Sequence, residues 1–141
     1  MQLPTLEEYE LIAELARNYR DSQIRLLKRE PVFNPRLGVD GLCFQRGQFE
    51  ALEGTGLIGA LITPCALWLV AIPGNASSHV WQDSVLISLP SGAYRFVLQP
   101  LQDGQGCYMC RILDDLSDLQ TMQEAAQLAQ RLMERIMTSA T

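Results

Sequence analysis

Residues 56–74, GLIGALITPCALWLVAIPG, decide the fold of this chain. They lie inside a longer span, from Gly54 to Gln82, that contains no Asp, Glu, Lys or Arg. A membrane-spanning helix needs about 20 unbroken apolar residues, but Thr63 and Pro64 divide this run into two halves of strand length. Because proline cannot donate to a sheet ladder, Pro64 belongs at a strand end or in a turn. The stretch therefore predicts two buried strands joined by a tight connection.

The composition is that of one globular domain over residues 1–141. Apolar residues make up 48% of the chain and charged residues 19%, and a chain of this length needs neither a disulfide nor a metal to fold. The net charge of −5 disfavours nucleic acid as a partner, because phosphate contacts need Lys and Arg. The first 30 residues lack the pattern of a secretory signal. We therefore expect a cytoplasmic protein without membrane insertion, whose four cysteines are reduced.

Two helices are expected, over residues 5–29 and 121–137. Each begins with a capping-box pattern, Thr5 with Glu8 and Thr121 with Glu124, and continues with apolar residues at helical spacing. Between them, residues 37–113 alternate strand-like runs with turn signals. The expected strands are residues 37–44, 57–63, 66–72, 84–89, 93–99 and 107–113.

Turn residues separate most of these strands. Residues 90–92 and 102–106 carry hairpin signals, and residues 47–54 form either a connection or a short strand. This order predicts an α+β domain, with a mainly antiparallel sheet of five or six strands and both terminal helices packed on one face of it.

Catalytic residue sets are missing from the sequence. It contains no Walker pattern, no G-x-G-x-x-G and no G-x-S-x-G. The single histidine, His79, is expected to be a solvated loop residue without a partner that would orient it as a base. The chain is therefore expected to be neither an enzyme nor a cofactor-binding protein.

Cys107 and Cys110 form a C-x-x-C pattern and leave one alternative open, a small thiol-redox or metal-carrier protein. A thioredoxin-like pair needs its first cysteine at a helix N-terminus, whereas this pair lies in an expected strand. At a period of two residues, the two thiols point to opposite faces of the sheet. A zinc or rubredoxin-like site would also need a second close pair. Structural cysteines are the favoured interpretation, and Cys107 and Cys110 are only weak metal-ligand candidates.

Two sets of residues are candidates for partner binding. Trp68 and Trp81 fit either a core or a binding surface, because tryptophan is enriched in both. The apolar density of residues 57–72 also exceeds what a one-sided sheet needs, which suggests a groove for an apolar peptide. Asp114, Asp115 and Asp118 fit either a solvated cap or a surface that meets a basic partner.

Several short motifs, in order, resemble the HybE/HupJ family of [NiFe]-hydrogenase maturation chaperones. The match spans roughly residues 10–137. The motifs are Pro31-Val32-Phe33-Asn34-Pro35 with Leu37, Val39, Asp40 and Phe44; Ile62-Thr63-Pro64 and Ile72-Pro73-Gly74; Leu89-Pro90-x-Gly92 with Phe96; Gly106-x-Tyr108-x-x-Arg111; and Glu124-Ala125 with Ala129. The chain departs from the family pattern at Cys65, where tryptophan is common, and at residues 114–116, where a Ser-Pro-Leu turn is usual. It also lacks the rubredoxin fused to some relatives.

The resemblance implies a cytoplasmic assembly chaperone that binds a hydrogenase structural subunit precursor before export. The implied partner is the small subunit with its twin-arginine signal peptide, with the large subunit as a second candidate. On this hypothesis the apolar sheet face around Leu67, Trp68 and Trp81 holds the hydrophobic segment of the signal. Carboxylates favour guanidinium contacts, so the twin arginines would lie near Asp114, Asp115 and Asp118. The unpaired edge of the sheet leaves a homodimer open.

Overall fold

The computed structural model describes residues 2–101 and 106–139, and it contains two helices and six strands. The turn expected at residues 102–106 lies, but for Gly106, outside the described residues. The elements in chain order are α1 (Leu6–Leu27), β1 (Asp40–Phe49), β2 (Gly54–Ile62), β3 (Leu67–Pro73), β4 (Ser84–Leu89), β5 (Gly92–Pro100), β6 (Gly106–Leu113) and α2 (Met122–Ile136). A 3₁₀ turn (Glu50–Leu52) joins β1 to β2. No described helix is long and apolar enough to cross a membrane.

All six strands form one sheet in the order β1-β2-β3-β6-β5-β4. Each neighbouring pair is antiparallel, which confirms the predicted α+β class and the antiparallel sheet. The β4–β5 hairpin is inserted between β3 and β6 in sequence, yet β3 and β6 are neighbours in space. The 3₁₀ turn after β1 contacts β4 at the far end of the strand order, so the sheet is strongly curled.

The connection between β2 and β3 is the tight one that the sequence predicts. The Thr63 hydroxyl accepts hydrogen bonds from the backbone N–H of Cys65 (3.2 Å) and of Ala66 (2.9 Å), and donates one to the Ala66 carbonyl (3.0 Å). All three residues are buried. Because buried backbone groups must find partners, Thr63 is what allows this turn to lie inside the core.

The helices cover opposite faces of the sheet, and the expectation that both pack on one face is wrong. Ile12, Leu15 and Tyr19 of α1 join one buried cluster, the α1-side core. Ala129 and Met133 of α2 join a second cluster on the other face, the α2-side core. The reason lies in the middle strands, which are apolar at both odd and even positions and must therefore be covered on both sides. In β2, Leu57 and Leu61 face α1, whereas Ile58, Ala60 and Ile62 face α2.

The first helix begins with the predicted capping box. The Thr5 hydroxyl accepts from the Glu8 N–H at 3.2 Å, and the Glu8 carboxylate accepts from the Thr5 N–H at 2.8 Å. The second helix has half of this motif. Thr121 caps the Glu124 N–H at 3.1 Å, but the Glu124 carboxylate turns to the N–H of Gln120.

β1 starts later and runs further than the sequence suggests. It includes residues 45–49, expected to be a gap followed by either a connection or a short strand, and it excludes residues 37–39. An irregularity between Leu42 and Gln45 holds Cys43 at a φ of 59°. The bulge seats the Phe44 ring over Gly59 of β2, and this close approach requires a residue without a side chain.

Candidate functional site

The exposed end of the α1-side core is built around Trp68 and Arg111, which lie opposite each other on β3 and β6. The guanidinium carbon of Arg111 is 5.3 Å from the centroid of the Trp68 ring, within the range of a cation–π contact. Arg111 Nε is also 3.1 Å from Asp114 Oδ1, and Nη2 is 3.9 Å from Glu30 Oε2. This cluster therefore combines an aromatic face with two carboxylates around one guanidinium group.

A groove of about 320 Å³ extends from this cluster across the sheet, and we call it the Trp68 groove. Its lining residues are Trp68, Arg95, Val97, Leu98, Gln99, Met109, Cys110 and Arg111. The groove exists because α1 covers only part of its face of the sheet. On the uncovered strands β4 and β5, the side chains of Leu86 and Val97 are each 55% exposed.

The acidic loop, residues 114–118, follows β6 directly and borders the cluster through Asp114. The loop is held in place by the buried side chain of Leu116. It is also held by Asn34, because the Asn34 side-chain nitrogen donates to the carbonyls of Leu116 and Leu119, both at 2.9 Å. Asp114, Asp115 and Asp118 remain exposed. Hydrogen bonds from the Ser117 side chain and backbone lower the pKa of Asp115, so this carboxylate is charged at neutral pH.

The other two apolar candidates do not join this surface. Leu67 precedes Trp68, so its side chain points to the opposite face and lies buried in the α2-side core. Trp81 is half-buried near Gly106, at the other end of β6 from Arg111. Gly106 and Arg111 are five positions apart along β6, which corresponds to about 17 Å. Trp68 and the three aspartates are thus brought to one end of the sheet, whereas Leu67 and Trp81 are not.

His79 is buried rather than solvated, which corrects the interpretation of its loop. Its Nε2 is 2.7 Å from the Tyr108 hydroxyl, and its Nδ1 is 2.8 Å from Glu53 Oε1. Nδ1 forms no hydrogen bond with a described residue, so the contact with Glu53 is a close approach and not a hydrogen bond. The Trp81 ring packs edge-on against the imidazole, with centroids 4.9 Å apart. These contacts tie the loop after β3 to the sheet.

The sequence gives no signal for this network, since Glu53, His79 and Tyr108 are more than 25 residues apart from one another. Tyr108 is itself buried, and its hydroxyl also accepts a hydrogen bond from the Gln82 N–H at 3.1 Å. The imidazole Nε2 is therefore engaged inside the protein. We assign the network to loop anchoring because its histidine has little contact with solvent.

Cys107 and Cys110 point to opposite faces of the sheet, as predicted: Cys107 joins the α1-side core and Cys110 packs against the α2-side core. Burial raises the pKa of Cys107 to about 12, and burial also raises the pKa of Cys110. Thiolates are the reactive and metal-binding form of cysteine, and burial disfavours that form here. Within residues 2–101 and 106–139, no group of three His, Cys, Asp or Glu side chains is placed to hold a metal.

Comparison with known proteins gives a family match and several relatives. Residues 10–141 match the family model described as "[NiFe]-hydrogenase assembly, chaperone, HybE". The hydrogenase expression/formation protein HupT of Azotobacter chroococcum mcd 1 is 33% identical over 93 residues, which cover 62% of this chain and 58% of HupT. The probable rubredoxin HupJ of Rhodobacter capsulatus is 24% identical over 127 residues, which cover 86% of this chain and 43% of HupJ. This chain thus spans about half the length of the curated relatives it matches.

A solved structure supports the fold. The solution structure of HybE from Escherichia coli aligns with a TM-score of 0.51 and 22% identity, covering 67% of this chain and 59% of that one. At this identity the likeness concerns the fold alone. The family model, in contrast, extends from the second turn of α1 through β1–β6 and α2. It follows that the chain belongs to the HybE family of [NiFe]-hydrogenase assembly chaperones.

Proposed function

We propose that this chaperone acts in the cytoplasm on the small-subunit precursor of a [NiFe]-hydrogenase, and that it holds the twin-arginine signal peptide before export. Membership of an assembly-chaperone family supports a hydrogenase subunit as the partner. The signal peptide is the favoured segment because it joins two arginines to an apolar run, and the surface at Trp68 offers complementary groups for both.

The observation that carries the proposal is the environment of Arg111. This arginine stacks on Trp68 and is paired with Asp114 and Glu30, so the surface already holds one guanidinium group. Asp115 and Asp118 lie in the same loop, and neither makes an ion pair with a described residue. They supply negative charge that no described side chain neutralises by an ion pair, and carboxylates bind arginine through charge-assisted hydrogen bonds.

The apolar part of the signal has a complementary surface beside these carboxylates. The side chains of Val97 and Met109 line the Trp68 groove next to Arg111. Val97 is more than half exposed, and burying apolar surface of this kind contributes roughly 25 cal/mol per Å². On this proposal the twin arginines contact the acidic loop while the apolar segment that follows packs in the groove.

The experiment measures binding of a synthetic twin-arginine signal peptide by calorimetry at several salt concentrations. We expect Asp115→Lys with Asp118→Lys to weaken binding at least tenfold and to flatten its salt dependence. The control is Glu50→Lys, which makes the charge change of one of these two substitutions at an exposed residue of the 3₁₀ turn, at the opposite end of β2. It is expected to leave the affinity within twofold.

The partner is tested in the same way. A peptide in which both arginines are replaced by glutamine should lose affinity for the wild-type chaperone, and the acidic-loop variant should no longer distinguish the two peptides. A twin-lysine peptide should bind with intermediate affinity, because lysine keeps the charge but lacks the planar fork of arginine. Equal affinity for the arginine and glutamine peptides would exclude the electrostatic part of the proposal.

A further inference from the structure

The uncovered part of the sheet beyond the Trp68 groove differs in charge from the acidic loop. Here Leu86 of β4 lies directly opposite Arg95 of β5, and Val97 of β5 lies directly opposite Met109 of β6. These four side chains point to the α1 side, where Leu86 and Val97 are open to solvent. The surface is therefore an apolar sheet face that carries an arginine.

Arg95 differs from its neighbour Arg111 in having no carboxylate partner within the described part of the chain. The Arg111 guanidinium is paired with Asp114 and Glu30. Among residues 2–101 and 106–139, Arg95 makes one polar side-chain contact, from Nη1 to Ser84 Oγ at 3.3 Å, and no ion pair. In a chain of net charge −5, this cation is left uncompensated on an apolar surface.

Trp68 supplies a second donor that lacks an acceptor. Its Nε1 atom is buried and has no hydrogen-bond partner among the described residues. Buried polar groups nearly always find partners, and leaving one unpaired costs about 1–3 kcal/mol. The Trp68 groove thus offers one exposed donor, the Arg95 guanidinium, together with the apolar side chains of Val97 and Met109, while the Trp68 Nε1 atom stays enclosed behind its lining.

We propose that this face, defined by Trp68, Leu86, Arg95 and Val97, binds an apolar segment of the hydrogenase precursor that carries a carboxylate. The apolar side chains of that segment cover Leu86 and Val97, and its Asp or Glu pairs with Arg95. This contact rests on the proposed function for its partner, but it uses the opposite charge from the contact between the acidic loop and arginine.

The charge difference also gives the bound precursor a fixed arrangement. Arginines are attracted to the acidic loop and repelled from Arg95, whereas a carboxylate is attracted to Arg95 and repelled from the loop. Complementary charge patterns of this kind set the register of a complex and exclude wrong partners. The Trp68 groove would therefore accept a segment in one orientation.

The test uses the full chaperone and the small-subunit precursor with its signal peptide. We expect Arg95→Glu to weaken binding at least tenfold and Arg95→Gln to weaken it less. The control Arg131→Glu changes the same charge at an exposed residue of α2, on the other side of the sheet, and should bind within twofold of wild type. If Arg95→Glu binds like wild type while the acidic-loop variant is weakened, the inference is overturned and the proposed function stands. If neither variant is weakened, the proposed function fails as well.

A crosslinking experiment identifies the segment itself. p-Benzoylphenylalanine at position 97 replaces a solvent-exposed side chain, so the fold should tolerate it, and circular dichroism checks this. Mass spectrometry of the photoproduct should identify an apolar peptide of the precursor that contains Asp or Glu within four residues of the attachment point. Attachment to a peptide whose only nearby charges are basic would contradict the proposal, as would the absence of attachment when the same probe at position 118 reacts.

Discussion

The Asn34 side chain donates two hydrogen bonds, to the carbonyls of Leu116 and Leu119, and so ties the segment after α1 to the acidic loop 82 residues later. Asn34 is only 2% exposed, and its Oδ1 accepts from the Arg36 N–H at 3.0 Å. The position of the proposed arginine-binding carboxylates therefore depends on a residue that touches none of them.

Asn34→Ala should lower the free energy of unfolding by about 1–3 kcal/mol, because the Leu119 carbonyl loses its donor and the Leu116 carbonyl keeps only the Leu119 N–H. Urea denaturation measures this. The control is Asn75→Ala, in an exposed loop where the amide oxygen contacts only Ser77 among side chains, and it should cost less than 1 kcal/mol. Equal effects of the two substitutions would show that Asn34 does not anchor the loop.

The His79 network predicts a second difference in stability. Tyr108→Phe removes the hydroxyl that lies 2.7 Å from His79 Nε2 and that accepts from the Gln82 N–H. The buried imidazole and the partly buried Gln82 N–H lose their partner, so the free energy of unfolding should fall by about 1–3 kcal/mol. Tyr94→Phe is the comparison, because its hydroxyl bonds Ser91 at a half-buried hairpin. A larger loss for Tyr94→Phe would contradict the anchoring role of Tyr108.

Gly59 should be the glycine least tolerant of substitution in the sheet. A Cβ at this position would overlap the Phe44 ring, and we expect Gly59→Ala to destabilise the fold by about 1–3 kcal/mol. At Gly38 nothing lies within 4 Å of an added Cβ, so Gly38→Ala should have little effect. Thermal unfolding of both variants tests the packing of β1 on β2, and a stable Gly59→Ala protein would show that Phe44 lies elsewhere.

Stability should fall at alkaline pH because of Cys107. Burial raises the pKa of this thiol to about 12 from its ordinary value of 9.0, so the folded chain keeps a proton that the unfolded chain releases. The free energy of unfolding therefore decreases as pH rises above about 9, by at most about 1.4 kcal/mol per pH unit. Between pH 8 and 10, Cys107→Val should show a smaller decrease. An identical pH dependence in the variant would contradict the burial of this thiol.

The sequence predicts the strands well because local signals determine them. Residues 84–89 form β4 with the expected bounds, since a polar loop and the Pro90–Gly92 turn enclose an alternating run. The placement of the helices was predicted wrongly because it depends on both faces of β2 and β3. Residues 57–62 are apolar at both odd and even positions, a pattern that favours cover on both faces and conflicts with two helices on one face.

Only some residues of the candidate site can be predicted from the sequence. The nearness of Trp68 to Asp114 follows from the β3–β6 pairing, which skips the inserted hairpin and cannot be inferred from spacing alone. The hypothesis of one binding face that contains both Leu67 and Trp68 is wrong, because adjacent strand residues point to opposite faces of the sheet. Arg95 was missed because nothing in its local sequence distinguishes an uncompensated surface arginine from a paired one.

The most direct measurement follows the indole Nε1–H signals of the two tryptophans by NMR while a twin-arginine signal peptide is added to the labelled chaperone. If the Trp68 groove and the acidic loop are the docking surface, the Trp68 signal shifts and saturates with the binding curve. The Trp81 signal, at the other end of β6, then stays in place. A saturable shift of Trp81 with an unchanged Trp68 would contradict the account.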